Sequence, residues 1–207
     1  MTDLPTLWGA PESGHSYKVR LALLLAGVPH RYRTVDLAQP RGQRDPAFER
    51  VTRFGEVPVW TEGQTVLAQS NAILLHLAEQ HSVLPGPPAA LREWLFWESN
   101  RIGLAVPNLR FALRWAPQPE PVLNWLRARA RTDLAVLEAV LARQDYVLAD
   151  GLTVADCSCA GYLYWLDQAG LDGREWPAIQ AWLARLAALP GWMAPDAALA
   201  PPTAAVR

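Results

Sequence analysis

An α/β half followed by an all-helical half is the fold class this sequence predicts, and three observations carry that reading. Short β-prone runs alternate with helical ones up to about residue 80, prolines crowd residues 83–90, and beyond them almost nothing reads as strand. The 207 residues therefore divide at that linker into a mixed domain at 1–84 and a helical-bundle domain at 85–207. Eight of the ten tryptophans lie beyond residue 90, so the second half is expected to pack from large flat side chains.

The elements follow in order. A first strand is expected at 6–8, then a helix at 16–26 stopped by Gly27 and Pro29, then a strand at 31–35. A weaker helix at 46–51 leads to strands at 57–60 and 65–68 that flank the turn Glu62-Gly63 and pair as an antiparallel hairpin. A helix at 71–80 closes this half, with Ile73, Leu74, Leu77 and Ala78 at helical spacing. A small mixed sheet in this order is the thioredoxin-like arrangement. After the linker, Leu91, Trp94, Leu95 and Trp97 begin one helix, and Val122, Leu126, Ala130, Leu134, Leu137 and Leu141 form the apolar stripe of another. Helices at 153–168 and 177–189 complete the bundle, and Pro195, Pro201 and Pro202 leave the end extended.

Composition excludes several functions. The chain is 51% hydrophobic and 19% charged with a net charge of −1, which gives no positive field for nucleic acid or an acidic membrane surface. No apolar run reaches eighteen residues and the start Met1-Thr-Asp-Leu-Pro is no leader peptide, so a cytoplasmic, untethered protein is expected. Cys157 and Cys159 fall in an apolar helical stretch and read as small core residues. The four histidines show no metal-ligand spacing, and no metal is expected. Of the nineteen basic residues only Lys18 is a lysine, for which the sequence supplies no reason. Arg41, Arg44, Arg50 and Arg53 cluster before a Val-Pro pair, either as a charged surface or as an attractor for a ligand with two carboxylates.

Three segments can carry chemistry. In Ala10-Pro-Glu-Ser-Gly-His-Ser-Tyr-Lys-Val-Arg20, the hydroxyls of Ser13 and Ser16 flank a helix N-terminus, where unpaired N–H groups and the dipole favour an anion or thiolate. Either serine also serves as a plain cap. In Phe54-Gly-Glu-Val-Pro-Val-Trp60, Pro58 is a cis-proline candidate that would turn the Val57 backbone outward for an extended peptide, or else an ordinary edge-strand proline. In Leu67-Ala-Gln-Ser-Asn-Ala-Ile73, Gln69 and Ser70 stand where a helix begins, with Ser70 as cap and carboxylate ligand.

Together these segments resemble the glutathione site of cytosolic glutathione transferases of theta- and zeta-like type, and the resemblance extends over the linker and the helical half. Gly151-Leu-Thr-Val-Ala-Asp156 is similar to the family's capping box, with Thr153 as cap and Asp156 returning a hydrogen bond. The resemblance implies that Gln69 and Ser70 hold the γ-glutamyl end of glutathione, that Val57 beside Pro58 pairs with its cysteinyl backbone, and that Gln43 lies near its glycyl carboxylate. Ser13, or else Ser16, contacts the thiol, and His15 beside them is a further glutathione contact and a candidate acid or base. No cysteine stands in Ser13-Gly-His-Ser16, so a dithiol cycle is excluded. The zeta-class isomerases of maleylacetoacetate show Ser-Ser-Cys here, whereas this chain keeps Ser13 and Ser-Tyr-Lys-Val-Arg20 around Gly14-His15.

The expected activity is attack of the glutathione thiolate on small hydrophobic electrophiles, with glutathione as co-substrate and a homodimer as the assembly. The alternatives are glutathione-dependent isomerisation and a binding or regulatory relative with little activity. For the electrophile pocket, Trp94, Trp97, Arg101, Asn108, Phe111 and Trp115 are the candidates on the helix after the linker, their aromatics serving either the pocket or the bundle core.

Overall fold

A computed structural model of the chain describes residues 4–201. Met1, Thr2, Asp3 and Pro202, which the expectations about a leader and the tail invoked, lie outside the described residues. By internal packing the chain divides into two units: Met1–Val83 with Pro190–Arg207, and Leu84–Leu189.

The first unit contains β1 (Thr6–Gly9), α1 (Gly14–Leu25), β2 (Arg31–Thr34), α2 (Pro46–Val51), β3 (Val59–Glu62), β4 (Thr65–Ala68) and α3 (Ser70–His81). The sheet order is β2-β1-β3-β4, with β1 parallel to β2 and the other neighbours antiparallel. This is a thioredoxin-like domain, and both faces of its sheet are covered. Trp8, Val35 and Val59 pack with Phe48 of α2, the Trp8 and Phe48 rings 5.8 Å apart. Ile73, Leu74, Leu77 and Ala78 of α3 are buried as their spacing requires, and α1 packs against α3. Burying such side chains stabilises the unit by roughly 1.5–3 kcal/mol each.

The stretch from Pro190 packs with this unit. Pro195, expected in an extended tail, instead opens a short helix, α9 (Pro195–Leu199), that lies against α1. Proline at a first helical position has its φ preset and lacks only an N–H that would be unpaired there. The Tyr17 hydroxyl donates to the Met193 carbonyl at 2.9 Å, and Gly191, at φ +85°, passes so close to α1 that a Cβ would stand 2.4 Å from the Leu24 carbonyl oxygen. Only glycine fits both conditions.

The second unit is helical: α4 (Pro88–Asn100), α5 (Ile102–Arg114), α6 (Glu120–Leu141), α7 (Val154–Ala160) and α8 (Pro177–Ala187). Four expectations are corrected. The linker is shorter than 83–90, because Pro88 already sits in the first turn of α4. The helix after it is two helices, broken at Arg101, whose φ −120° and ψ −104° are not helical. The apolar stripe of α6 runs from Leu123 through Leu126, Ala130, Leu134, Leu137 and Leu141, whereas Val122 is 40% exposed. The helix expected at 153–168 ends at Ala160 and continues as 3-10 turns at Leu163–Trp165 and Asp167–Ala169.

The capping box at α7 is formed. Thr153 Oγ accepts from the Ala155 N–H, and Asp156 Oδ2 accepts from the Thr153 N–H at 2.9 Å. Cys157 and Cys159 are buried and unlinked, and burial, with Asp156 alongside, holds the Cys157 thiol well above its usual range. It is inert at neutral pH. No helix among the described residues is long and apolar enough to cross a membrane.

Candidate active site

The register of the sheet brings the three segments to one end. Trp8 of β1 faces Val59 of β3, and Val59 faces Ala68 of β4. Because β3 runs opposite to its two neighbours, the C-terminal end of β1, the N-terminal end of β3 and the C-terminal end of β4 lie side by side. The loops leaving them carry Ser13, Val57-Pro58 and Gln69-Ser70, and the N-termini of α1 and α3 follow. Lys18, 1% exposed, donates to Asn71 Oδ1 at 3.3 Å and ties α1 to the first turn of α3. That contact supplies the lone lysine with a role.

At the start of α1 the hydroxyls form a chain. The Ala10 N–H donates to Ser16 Oγ at 3.3 Å, and Ser16 Oγ donates to Ser13 Oγ at 3.1 Å. Ser13 Oγ also accepts the Ser16 N–H at 3.1 Å and is the helix cap. A hydroxyl has two acceptor sites and one hydrogen, so with both sites filled Ser13 has its own O–H left to donate. Ser13 is part-exposed, whereas Ser16 is fully buried and has no surface for a ligand. His15 is half-buried on the same turn. Gly9 lets the layers close here, since a Cβ on it would lie 2.7 Å from the Tyr32 hydroxyl and 3.0 Å from Ser16 Cβ. Burial raises the Tyr32 phenol well above its ordinary pKa, so it stays protonated.

The Val57-Pro58 bond is cis. Val57 lies two residues outside the β1–β3 ladder, which begins at Val59, and Pro58 is buried. At α3 the structure departs from expectation. Ser70 does not cap the helix but is its first residue, buried, while Gln69 occupies the cap position with φ +72° and ψ 115° and makes no side-chain cap bond. This conformation is strained for a residue with a side chain, and the Gln69 side chain gives the first turn of α3 no cap bond. The Gln69 amide instead donates to Glu56 Oε2 at 3.2 Å. Glu56 was missed from sequence, although an acid directly before the Val-Pro pair was the signal.

Gln43 is exposed in the loop after β2. Arg44 beside it donates to the carbonyls of Gln39 at 2.9 Å and Gly55 at 2.7 Å, tying this loop to the one that carries Val57. Of the arginine cluster, Arg44 is thus a brace between loops, and Arg53 lies over the Phe54 ring at 5.9 Å. The six residues expected to line an electrophile pocket fall on two helices. Trp94 and Trp97 meet edge to face at 5.1 Å on α4, and Arg101 is the break. Asn108 and Phe111 lie on α5, and Trp115 ends it with its ring 5.9 Å from that of Phe111. Phe111 and Trp115 are 54% and 44% exposed, so neither fills the core. Arg110, unremarked in the sequence, is buried with its guanidinium over the Trp165 and Trp115 rings at 4.5 and 5.0 Å.

The same layout is found in known proteins. Residues 12–80 match the family model "Glutathione S-transferase, N-terminal domain", and residues 99–190 match "Glutathione S-transferase, C-terminal domain". A crystal structure described as a possible glutathione S-transferase from Rhodopseudomonas palustris is 34% identical, covers 94% of this chain and 98% of its own, and superposes with a TM-score of 0.82. Glutathione S-transferase 3 of Zea mays is 30% identical over 167 residues, which are 74% of this chain and 74% of that protein. The maleylacetoacetate isomerase of Pseudomonas aeruginosa is 27% identical over 82% of this chain and 84% of its own length. With both halves matched and the serine, cis-proline and Gln-Ser segments gathered at one sheet end, the chain belongs to the glutathione S-transferase family.

Proposed function

We propose that this protein is a glutathione transferase that uses the Ser13 hydroxyl to hold the glutathione thiol as thiolate for attack on small apolar electrophiles. The observation that carries this reading is the hydroxyl chain at α1, in which part-exposed Ser13 accepts two hydrogen bonds at a helix N-terminus and keeps its own hydrogen to donate. Serine is no base at neutral pH, so its part is hydrogen-bond donation. A free thiol with a pKa of about 8.5 is only about 3% ionised at pH 7. Lowering that pKa by about two, about 2.7 kcal/mol, raises the ionised share to about three quarters. A hydroxyl donating to a charged acceptor contributes about 1.5–3 kcal/mol, and a helix dipole about 0.3–1. The parts present suffice.

The rest of the tripeptide fits the same end of the sheet. The Val57 backbone, beside Pro58 and beyond the end of the β1–β3 ladder, suits the cysteinyl amide, as an extended segment adding to a sheet edge. Ser70 and the uncapped first turn of α3 suit the γ-glutamyl carboxylate, and the Glu56 carboxylate beside Gln69 suits the ammonium. Gln43 is assigned to the glycyl carboxylate and His15 to a second contact near the thiol. Trp94, Trp97, Phe111 and Trp115, with Arg101 and Asn108, are assigned to the electrophile. The same reading takes the protein as a cytoplasmic homodimer.

Isothermal titration of the full chain with glutathione tests the proposal, with saturable binding at or below millimolar ligand as the expected result. No binding at millimolar glutathione overturns it. A second reading, glutathione-dependent cis–trans isomerisation, is favoured by the similarity to the Pseudomonas isomerase and by Ser-Tyr-Lys-Val-Arg20. In that case the thiolate adds to a conjugated double bond, the resulting single bond rotates, and the thiolate leaves again. Turnover of a cis-enone dicarboxylate without net consumption of glutathione distinguishes it from conjugation.

A further inference from the structure

At the opposite end of β3 from Val57-Pro58, three potential ligand atoms converge. Glu62 ends β3, and His76 and His81 come from the last two turns of α3, which packs on β3. Glu62 Oε2 lies 2.9 Å from His81 Nε2 and 3.7 Å from His76 Nε2, and all three atoms lie within 4.8 Å of one another. The histidine rings meet edge to face with centroids 5.4 Å apart.

We propose that Glu62, His76 and His81 form a binding site for a divalent first-row transition cation of the zinc type, separate from the glutathione site. Zinc bonded to nitrogen and oxygen at about 2.0–2.2 Å in a tetrahedron holds its ligand atoms about 3.3–3.5 Å apart. The two distances to Glu62 Oε2 bracket that separation, so small side-chain movements bring the donors to bonding geometry.

The hydrogen bonding points the same way. His76 Nε2 is buried and has no hydrogen-bond partner among the described residues, although it is aimed at the carboxylate. A buried polar atom left unpaired is destabilising, and a cation shared by the three donors removes that cost. The buried Trp60 donates its indole N–H to Glu62 Oε2 at 3.4 Å and so helps orient the carboxylate. Two imidazoles and one carboxylate suit zinc, copper, nickel or cobalt far better than magnesium or calcium, which favour all-oxygen sets. Three protein ligands leave a fourth position for water.

A cation there would bridge the β3–β4 hairpin and the C-terminal end of α3, stabilising the first unit by mass action. The linear pattern Glu62, His76, His81 matches no metal-binding spacing, and the site is legible only once the strand is folded against the helix. The test uses tag-free, chelator-treated full chain, titrated calorimetrically with Zn²⁺ and, for a visible d–d spectrum, with Co²⁺. The expected result is one cation per chain, a melting temperature raised by Zn²⁺, and affinity weakened about tenfold or more by His76→Gln and by His81→Gln. Unchanged circular dichroism and unchanged glutathione affinity establish that the variants are folded. Absence of saturable binding at tens of micromolar Zn²⁺ overturns the proposal, and so does equal affinity in the double variant.

Discussion

At the N-terminus of α7, Thr153 and Asp156 cap the helix reciprocally, and the buried Asp156 carboxylate also accepts from the Val147 N–H at 2.8 Å and the Trp182 indole at 3.0 Å. At the N-terminus of α3, Gln69 stands in a strained conformation, caps nothing with its side chain, and directs its amide to exposed Glu56. The first helix start is closed on itself. The second is left open at the end of the sheet where Ser13 and Pro58 also lie. On the proposed reading the difference separates residues that hold the fold from residues that serve a ligand, and α1 stands between them, because its cap Ser13 accepts two hydrogen bonds internally and keeps its own hydrogen to donate.

Substitutions sharpen that contrast. Asp156→Ala removes one acceptor group from four donors in a buried setting and is expected to cost about 3–4 kcal/mol in urea denaturation. The glutathione affinity of the folded protein should not change, and a loss of affinity matching the loss of stability would erase the distinction. Thr153→Ala should cost about 1–2 kcal/mol by the same measurement, since the cap bond to the Ala155 N–H and the hydroxyl's bond to Asp156 are lost while the Asp156 carboxylate keeps its other donors.

Gln69→Gly reverses the pattern. Glycine accepts φ +72° without strain, so stability is expected to rise by up to about 1 kcal/mol while glutathione binding weakens. A variant that is less stable and binds normally would mean that Gln69 serves the fold. The smallest effect concerns pH. His30 donates from Nδ1 to the Val28 carbonyl at 2.6 Å and accepts at Nε2 from Arg20, and burial holds its pKa below the ordinary value of 6.5. A depressed histidine contributes stability that is complete above the unfolded-state pKa, about 6.5, and is lost as pH falls below it. Thermal melts across pH 7.5 to 5 should show that loss, and His30→Asn should flatten it.

The sequence showed β1, β2, β4, α2 and the three site segments because turn residues punctuate them: Gly27 and Pro29, Gly63, and the proline run. It set the third strand two residues early, at 57–60, and put Glu62 in the turn, whereas β3 is Val59–Glu62. It did not show the break at Arg101, because Asn100-Arg101-Ile102 contains neither glycine nor proline and the apolar spacing continues across it. The end of α7 was hidden for a similar reason, since a helix tightening into 3-10 turns keeps nearly the same pattern of apolar residues. The choice between Ser13 and Ser16 depends on burial and on the direction of one hydrogen bond, which neither composition nor spacing encodes. Lys18, Glu56 and the Glu62, His76 and His81 group are meaningful only through partners distant in the chain.

The ionisation of bound glutathione, followed by thiolate absorbance against pH, reports directly on the Ser13 hydroxyl. In the wild-type protein the bound thiol is expected to be half-ionised near neutral pH. In Ser13→Ala its pKa should rise by about one to two, the equivalent of a lost charged hydrogen bond, with only a smaller rise in Ser16→Ala, where Ser13 keeps its own hydrogen. An unchanged thiol pKa in Ser13→Ala, or a larger rise in Ser16→Ala, would contradict the assignment of the thiol contact to Ser13.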